Sequence, residues 1–218
     1  KIDCKDYPIL QWSWKVVALP KGADARKKET DDEAAQVYVT FPRFPAAVRS
    51  RVIGYIWDTT APAGLTFKSE KTGLVTYIVM RSGEADLGKW LTESRNVCED
   101  YKKIFGEDPN EKIEALSVGI DSDDTKSRAE AFIGEIFFRK DEAGCGLMRE
   151  NVAHEPFRVT ADKFFRQSVR LGQHRPVPGR NGLLRAHPRL ASLDVIPTAD
   201  MWARMGAKEA VSAWHWSM

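Results

Sequence analysis

The densest group of potential metal ligands in the sequence is the run Asp121-Ser122-Asp123-Asp124-Thr125. Alternate oxygens from Asp121, Asp123 and Thr125 can reach one hard cation, because calcium prefers six to eight oxygen ligands. The run lacks the glycine and the distal glutamate of a calcium-binding hand, so it is not that motif. Two interpretations stay open: a structural calcium ion held by these three residues, or a polar turn whose side chains bond their own backbone.

A second acidic pair, Asp31-Asp32, precedes an apolar segment that alternates like a strand. Adjacent carboxylates act as metal ligands or as an acid/base pair only when both reach one point in space. Consecutive residues of a strand point to opposite faces, which argues against a shared substrate. We therefore expect this pair to form a turn or the entry to a strand.

Sugar binding requires an exposed aromatic ring, on which C–H groups stack, with polar neighbours that bond the hydroxyls. Trp57 and Trp90 are the ring candidates, because each lies at or near the end of a predicted strand. Arg95, Asn96 and Asp100 follow Trp90 closely and are the candidate polar neighbours. Arg95 and Asp100 are five positions apart, which is not the spacing of one helical face. The alternative for both tryptophans is packing in the core.

Catalytic patterns are missing from most of the chain. No histidine precedes His154, so a Ser–His or Cys–His pair has no footing in the strand-rich part. The sequence has no GxSxG, no phosphate-binding glycine loop, no HExxH and no CxxC. A lyase-like arrangement, with Tyr77 or Tyr101 as base and Arg95 as charge clamp, is the enzymatic alternative. We expect a protein that binds rather than catalyses.

Runs of alternating apolar and polar residues predict at least six strands. Their apolar positions are Leu10, Trp12, Trp14 and Val16; Val37, Val39 and Phe41; Ile53, Tyr55 and Trp57; Val75, Tyr77 and Val79; Leu116, Val118 and Ile120; and Phe132, Ile136 and Phe138. Because Pro, Gly and Asp clusters separate the runs, the pattern favours antiparallel strands in a β-sandwich over a barrel or an open sheet.

One segment, from Thr92 to Phe105, shows a helical rather than an alternating pattern. Its apolar positions are Val97, Tyr101, Ile104 and Phe105. This spacing predicts a short helix over one end of the sandwich. Thr92 or Ser94 can cap its start, and Gly106 suits its end.

The composition changes after Ala143. Residues 1–143 hold 22 basic and 25 acidic side chains, whereas residues 144–218 hold 11 basic side chains, mostly arginine, and 6 acidic ones. All four histidines lie in the second part. Such a swing marks a boundary between a β-sandwich domain and an Arg-rich extension that is partly helical or disordered. Its candidate helices are residues 161–171 and 199–213.

The bulk numbers exclude several classes of protein. A formal net charge of +2 is too small to favour nucleic-acid binding. No stretch approaches 18 apolar residues, so we expect no transmembrane segment. The three cysteines, Cys4, Cys98 and Cys145, fit neither a disulfide framework nor a zinc site. Unpaired thiols are expected, with a Cys4–Cys98 bridge as the alternative in an exported protein.

Several short motifs together resemble a known family. They are ILQWSWKVV at 9–17, LPKGAD at 19–24, DDEAAQVYVTF at 31–41, the acidic run at 121–125 and AEAFIGEIFF at 129–138, with Trp90, Arg95-Asn96-Val97, Asp100-Tyr101 and Phe105-Gly106 between them. Over about residues 7–139 the sequence resembles an uncharacterised family of exported bacterial proteins, a domain of unknown function. The resemblance implies a jelly-roll-like sandwich related in shape to sugar-binding modules, a periplasmic or secreted location, and no assigned catalytic residue.

Two departures from the family pattern lead to further expectations. Family members begin upstream of the WSW motif, so the chain is expected to be truncated at its N-terminus. The pattern ends near Arg139, so residues 144–218 have no counterpart and resemble a frameshifted reading of a GC-rich gene.

The expected fold is an all-β, antiparallel, jelly-roll-like β-sandwich with one short helix and a poorly patterned C-terminal extension. The expected function is a non-catalytic, carbohydrate-binding module of the bacterial envelope, with calcium as the one cofactor considered. This function rests on analogy of fold. The alternatives are a structural scaffold protein, and a polysaccharide hydrolase or lyase using Asp121, Asp123 or Arg95.

Overall fold

A computed structural model describes residues 1–141, 157–161, 167–170 and 184–185, with side chains described for residues 1–141. Within these residues, eleven strands form two sheets. The five-stranded sheet contains β1 (Ile9–Ala18), β6 (Leu91–Asn96), β8 (Ala129–Arg139), β9 (Phe157–Ala161) and β11 (Leu184–Arg185). The six-stranded sheet contains β2 (Ala35–Phe41), β3 (Arg51–Asp58), β4 (Thr66–Lys68), β5 (Val75–Ser82), β7 (Ala115–Ile120) and β10 (Gln167–Arg170). The helical segments are a 3-10 turn (Lys28–Thr30), α1 (Ala46–Arg49) and α2 (Val97–Phe105).

The two sheets pack face to face through positions that the alternation of β1 and β3 predicts. Trp12 of β1 packs against Tyr55 of β3 with ring centroids 5.1 Å apart, and Trp14 packs against Trp57 at 6.0 Å. These four rings are buried. Large aromatic side chains bury more apolar area than other residues, so this layer dominates the core. The predicted all-β sandwich is confirmed.

The six-stranded sheet is buried on both faces. Val75, Tyr77 and Val79 face away from the main core and form a second apolar cluster with Ile56. Ala25, from the connection between β1 and β2, covers this cluster. Because β3 and β5 pack on both sides, they carry nearly continuous apolar runs in place of strict alternation.

One strand pairing departs from the antiparallel expectation. The strand order of the six-stranded sheet is β10-β7-β2-β3-β5-β4, and β3 runs parallel to β5. After β3 the chain crosses to the edge of the sheet and forms β4. It then returns as β5, which lies between β3 and β4. Alternation alone does not encode strand direction, because both directions have the same period of two.

The helix begins later than predicted. Residues 91–96 form β6, the edge strand paired with β1, and α2 starts at Val97. The cap is Asn96, whose Oδ1 accepts a hydrogen bond from the Glu99 N–H at 3.1 Å. Gly106 ends the helix with φ of 74°, as predicted. Thr92 and Ser94 lie on β6 and do not cap the helix. The sequence pattern did not reveal this strand, because its inward positions, Glu93 and Arg95, are charged and not apolar.

Cys4 and Cys98 form a disulfide that joins the N-terminal segment to α2. The expectation of unpaired thiols is therefore wrong for these two residues. The two cysteines are 94 positions apart, and their spacing in sequence follows no known framework. Their proximity arises because Pro8 and Val97 meet where β1 and β6 pair.

Strand pairing continues beyond the composition break. β9 and β11 both pair with β8, and β10 pairs with β7. The helix predicted over residues 161–171 is wrong at residue 161, which belongs to β9, and at residues 167–170, which form β10; its other residues lie outside the described part of the chain. The helix predicted over residues 199–213 lies outside the described residues. In the part of the chain that the structure describes, no helix is long and apolar enough to cross a membrane.

Candidate binding site

Trp90 is the exposed member of the four tryptophans in residues 1–141, with 44% of its surface accessible. It directly precedes β6, which pairs with β1. Because Trp14 of β1 points into the core, the neighbouring Ser13 and Lys15 point outward. Trp90 lies beside them on the outer face of the five-stranded sheet.

Lys15 lies between two aromatic rings on this face. Its Nζ is 5.4 Å from the ring centroid of Trp90 and 4.6 Å from that of Phe132. These distances allow cation–π attraction to both rings, which holds the ammonium group in place. Thr92 of β6 lies opposite Ser13 and is exposed. The result is an outward strip of two rings, one ammonium group and two hydroxyls.

Gly134 of β8 makes room for this arrangement. A Cβ added at Gly134 would lie 3.3 Å from Cζ3 of Trp90 and would overlap Oγ of Ser13. The indole ring and the hydroxyl therefore rest directly on the glycine backbone. We refer to Ser13, Lys15, Trp90, Thr92, Phe132 and Gly134 as the Trp90 face.

Trp57, the other ring candidate, is not available for stacking on a ligand. Only 1% of its surface is accessible, and its Nε1 donates a hydrogen bond to the Gly83 carbonyl at 3.1 Å. Trp57 shares the inward face of β3 with Tyr55, so it packs against Trp14 although it is near a strand end. The core-packing alternative is correct for Trp57.

Arg95 and Asp100 lie apart from Trp90. Along β6, Thr92 and Ser94 are exposed, whereas Arg95 alternates with them and points between the sheets. Its Nε donates to Oδ2 of Asp100 at 2.9 Å, and its Nη2 donates to Oδ1. This ion pair raises the pKa of Arg95 above its usual value. Arg95 and Asp100 meet because one lies on a strand and the other on the helix that follows.

Tyr55 completes this buried polar group. Its hydroxyl donates to Oδ2 of Asp100 at 2.8 Å. Burial, with the Asp100 carboxylate as the second cause, raises the pKa of Tyr55 well above its usual value. Tyr55 therefore stays protonated at any ordinary pH. Asn96, the remaining candidate neighbour, uses its side chain to cap α2.

A second ion pair on the inner side of β6 was not predicted from the sequence. Glu93 accepts from Nε of Arg81 at 2.7 Å and from Nε1 of Trp14 at 3.2 Å. The pair formed with Glu93 raises the pKa of Arg81. Inward charges on an edge strand also discourage pairing with another chain. The sequence did contain a pattern that marks the inner face of β6: two charged residues at alternate positions, Glu93 and Arg95.

The acidic residues that precede β2 and follow β7 meet at one end of the six-stranded sheet, because these strands are antiparallel neighbours. The Asp32 carboxylate accepts from the N–H groups of Asp124 at 3.1 Å and Thr125 at 2.7 Å. One carboxylate oxygen from each of Asp32, Asp123 and Asp124 lies within 4.8 Å of the others. The sequence predicted neither this contact nor Asp32 as a partner.

Lys71 supplies a positive charge to the same cluster. Its Nζ bonds the Asp124 carboxylate and lies 3.6 Å from Oδ1 of Asp123. Burial raises the pKa of Asp124, and Lys71 opposes this shift. Lys71 therefore offsets part of the negative charge that a metal ion would otherwise balance.

The predicted ligand set is arranged mostly as a polar turn. Oδ1 of Asp121 accepts from the Asp123 N–H at 3.3 Å. The hydroxyl of Thr125 shares a hydrogen bond of 2.8 Å with that of Ser127. Asp123 is thus the member of the predicted set whose carboxylate joins the compact group of three. Calcium at this cluster stays a prediction.

Comparison with known proteins gives one match. The family model described as "Protein of unknown function (DUF3047)" matches residues 1–137. The chain belongs to this family. The match to DUF3047 covers the motifs from the WSW segment as far as Phe137 of β8, two residues before the end of that strand. No curated protein and no solved structure matches the chain.

Proposed function

We propose that this DUF3047 protein is a non-catalytic carbohydrate-binding module of the bacterial envelope, in which a sugar ring stacks on Trp90. The observation that carries the proposal is the exposed indole of Trp90, which rests on Gly134 beside the outward hydroxyl of Ser13. Exposing the apolar surface of a tryptophan ring to water costs free energy, and a ligand that covers the ring removes this cost. Because polar groups surround Trp90, the arrangement suits a ligand with one apolar and one polar side.

The neighbours of Trp90 have the donors and acceptors that sugar hydroxyls need. The Lys15 ammonium group can donate, and the hydroxyls of Ser13 and Thr92 can both donate and accept. Phe132 extends the apolar surface on the far side of Lys15. A sugar chain lying across the strands would meet the two rings in turn, with polar groups between them.

Several contacts favour binding over catalysis. Among residues 1–141, the two tyrosines considered as bases do not reach Arg95. Tyr77 belongs to the second apolar cluster, and the Tyr101 hydroxyl accepts a hydrogen bond of 2.8 Å from Nη1 of Arg51. Tyr55 does reach the Arg95–Asp100 pair, but its raised pKa prevents it from acting as a base.

The Cys4–Cys98 disulfide supports an envelope location. Structural disulfides persist in oxidising compartments such as the periplasm and are rare in a reducing cytosol. This support is independent of Trp90 and concerns the location alone.

A glycan array on the full chain, followed by titration calorimetry with the best hit, tests the proposal. Trp90→Ala should weaken binding by about tenfold or more, since aromatic stacking contributes about 0.5–1.5 kcal/mol beyond area burial. Phe44→Ala is the matched control, because Phe44 is 89% exposed in the connection between β2 and β3 on the other sheet. The control should bind as the unaltered chain does.

Unchanged binding in a folded Trp90→Ala variant would remove Trp90 from the site. An array without any hit would favour the scaffold alternative. Turnover of a bound polysaccharide would contradict the non-catalytic part of the proposal and favour the hydrolase or lyase alternative.

A further inference from the structure

A cavity of about 360 Å³ lies between β4, β5, β6 and the last turns of α2. It is lined by Thr66 of β4, Met80 of β5, Arg95 of β6 and Lys103 of α2, among others. Pockets of about 300–1,000 Å³ are typical of small-molecule sites. The cavity is on the opposite side of β6 from the Trp90 face, so a ligand here would not touch Trp90. We name it the edge cavity.

The carboxylate in the edge cavity, that of Asp100, is already hydrogen-bonded to other side chains of the protein. Asp100 is buried, and its two oxygens accept from Arg95 and from the Tyr55 hydroxyl. A ligand donor would have to displace one of these bonds to reach the carboxylate. Asp100 therefore positions Arg95 and does not recognise a ligand itself.

The positive groups in the edge cavity have donors to spare. Arg95 uses Nε and Nη2 on Asp100 and also interacts with Tyr55, whereas its Nη1 donates no hydrogen bond to Asp100. Lys103 is exposed and makes no hydrogen bond or ion pair within residues 1–141. Two cations face one neutralised carboxylate, so the cavity carries a net positive charge and favours an anion.

The remaining wall of the edge cavity is apolar. Ile78 and Met80 of β5 and Ile104 of α2 contribute side chains to it. An inorganic anion would leave this surface in contact with water. An organic body beside the acid group would cover it, which is favourable in proportion to the apolar area removed from water.

We infer that the edge cavity binds a small organic anion, with a carboxylate held by Arg95 Nη1 and Lys103 Nζ and a body of monosaccharide size against Ile78, Met80 and Ile104. This site is distinct from the Trp90 face and does not depend on sugar stacking there. Arg95, ordered by Asp100, supplies direction, whereas the exposed Lys103 supplies a second positive charge.

Calorimetric titration of the full chain carrying Trp90→Ala, which lacks the ring on which a sugar would stack, tests the inference with glucuronate, glucose and inorganic phosphate. Glucuronate and glucose have similar size and differ in the carboxylate, so glucuronate alone should bind measurably. Lys103→Gln should weaken glucuronate binding about tenfold, because charge-assisted hydrogen bonds are roughly twice as strong as neutral ones. Lys102→Gln removes the same charge one position away, from an exposed pair with Asp108, and should change little.

Each other outcome overturns the inference. Equal affinity for glucose and glucuronate would show that the carboxylate is not recognised. If Lys103→Gln and Lys102→Gln weakened glucuronate binding equally, the effect would come from the overall charge of the protein and not from a contact with Lys103. Phosphate binding without glucuronate binding would assign the cavity to inorganic anions. Because Trp90→Ala should leave glucuronate binding intact, failure here is distinguishable from failure of the proposed function.

Discussion

Arg95 and Asp100 form a two-point ion pair across the junction of β6 and α2, with Nε of Arg95 2.9 Å from Oδ2 of Asp100. Asp100→Asn should lower the free energy of unfolding by about 2–4 kcal/mol, because it leaves a half-buried guanidinium and the Tyr55 hydroxyl poorly paired. Urea denaturation measures the change. Asp108→Asn, which breaks the exposed pair with Lys102, should cost less than about 1 kcal/mol. Similar costs for the two variants would contradict the role given to Asp100.

The close fit of Ser13 over Gly134 predicts a compensating pair of substitutions. Gly134→Ala should cost about 1–3 kcal/mol of stability, because the new Cβ overlaps Oγ of Ser13. Ser13→Ala should cost little by itself, since this hydroxyl has no hydrogen bond to the described residues. The double variant should recover much of the loss. Additive costs in a double-mutant cycle would show that the strain arises elsewhere.

The Cys4–Cys98 bridge closes a loop of 94 positions. Replacing both cysteines by alanine should lower stability by about 2–5 kcal/mol, because the bridge restricts the unfolded chain. Denaturation curves with and without reductant provide the same comparison on the unaltered chain. Alkylation before reduction should label at most one thiol of the three in the chain. Three labelled thiols in the non-reduced, folded protein would exclude the bridge.

The sequence predicted calcium at Asp121, Asp123 and Thr125; from the geometry we now predict that it binds at the carboxylates of Asp32, Asp123 and Asp124. An ion that binds only the folded state raises the melting temperature by mass action, so Tm should be higher in millimolar calcium than in chelator. Asp123→Asn should reduce this calcium-dependent difference, whereas Asp86→Asn, at a pair with Lys89 elsewhere, should leave it unchanged. Identical melting curves in calcium and in chelator would contradict calcium binding. Lys71 would then be the group that balances the negative charge of these carboxylates, and the polar-turn interpretation would stand.

Asp58 makes stability depend on pH. Burial raises its pKa above the usual value, although the N–H groups of Ala25, Thr60 and Ala61 oppose the shift. Between the unfolded pKa and the raised folded pKa, the folded state binds more protons, so this contribution to stability falls as pH rises. The destabilisation caused by Asp58→Asn should therefore be larger at pH values near the unfolded pKa than at neutral pH. A pH-independent difference in the free energy of unfolding would contradict the shift.

Local features of the sequence determined a large part of the fold. The alternation of Leu10, Trp12, Trp14 and Val16 defined the inward face of β1, because side chains of a strand alternate irrespective of its partner. Gly106 marked the end of α2 for an equally local reason, its left-handed backbone. The family motifs likewise indicated a domain of unknown function from short stretches of chain, and the match to DUF3047 confirms it.

Tertiary structure decided which of these residues meet. Trp57 and Trp90 both lie near strand ends, yet Trp57 is covered by the chain around Gly83 and Trp90 is not. Asp32 joins Asp123 and Asp124 across about ninety positions, through the pairing of β2 with β7. Burial and long-range proximity depend on how the strands are ordered and directed in the sheets. Period-two alternation contains no information on order or direction, so these relationships arise only when the whole sandwich assembles.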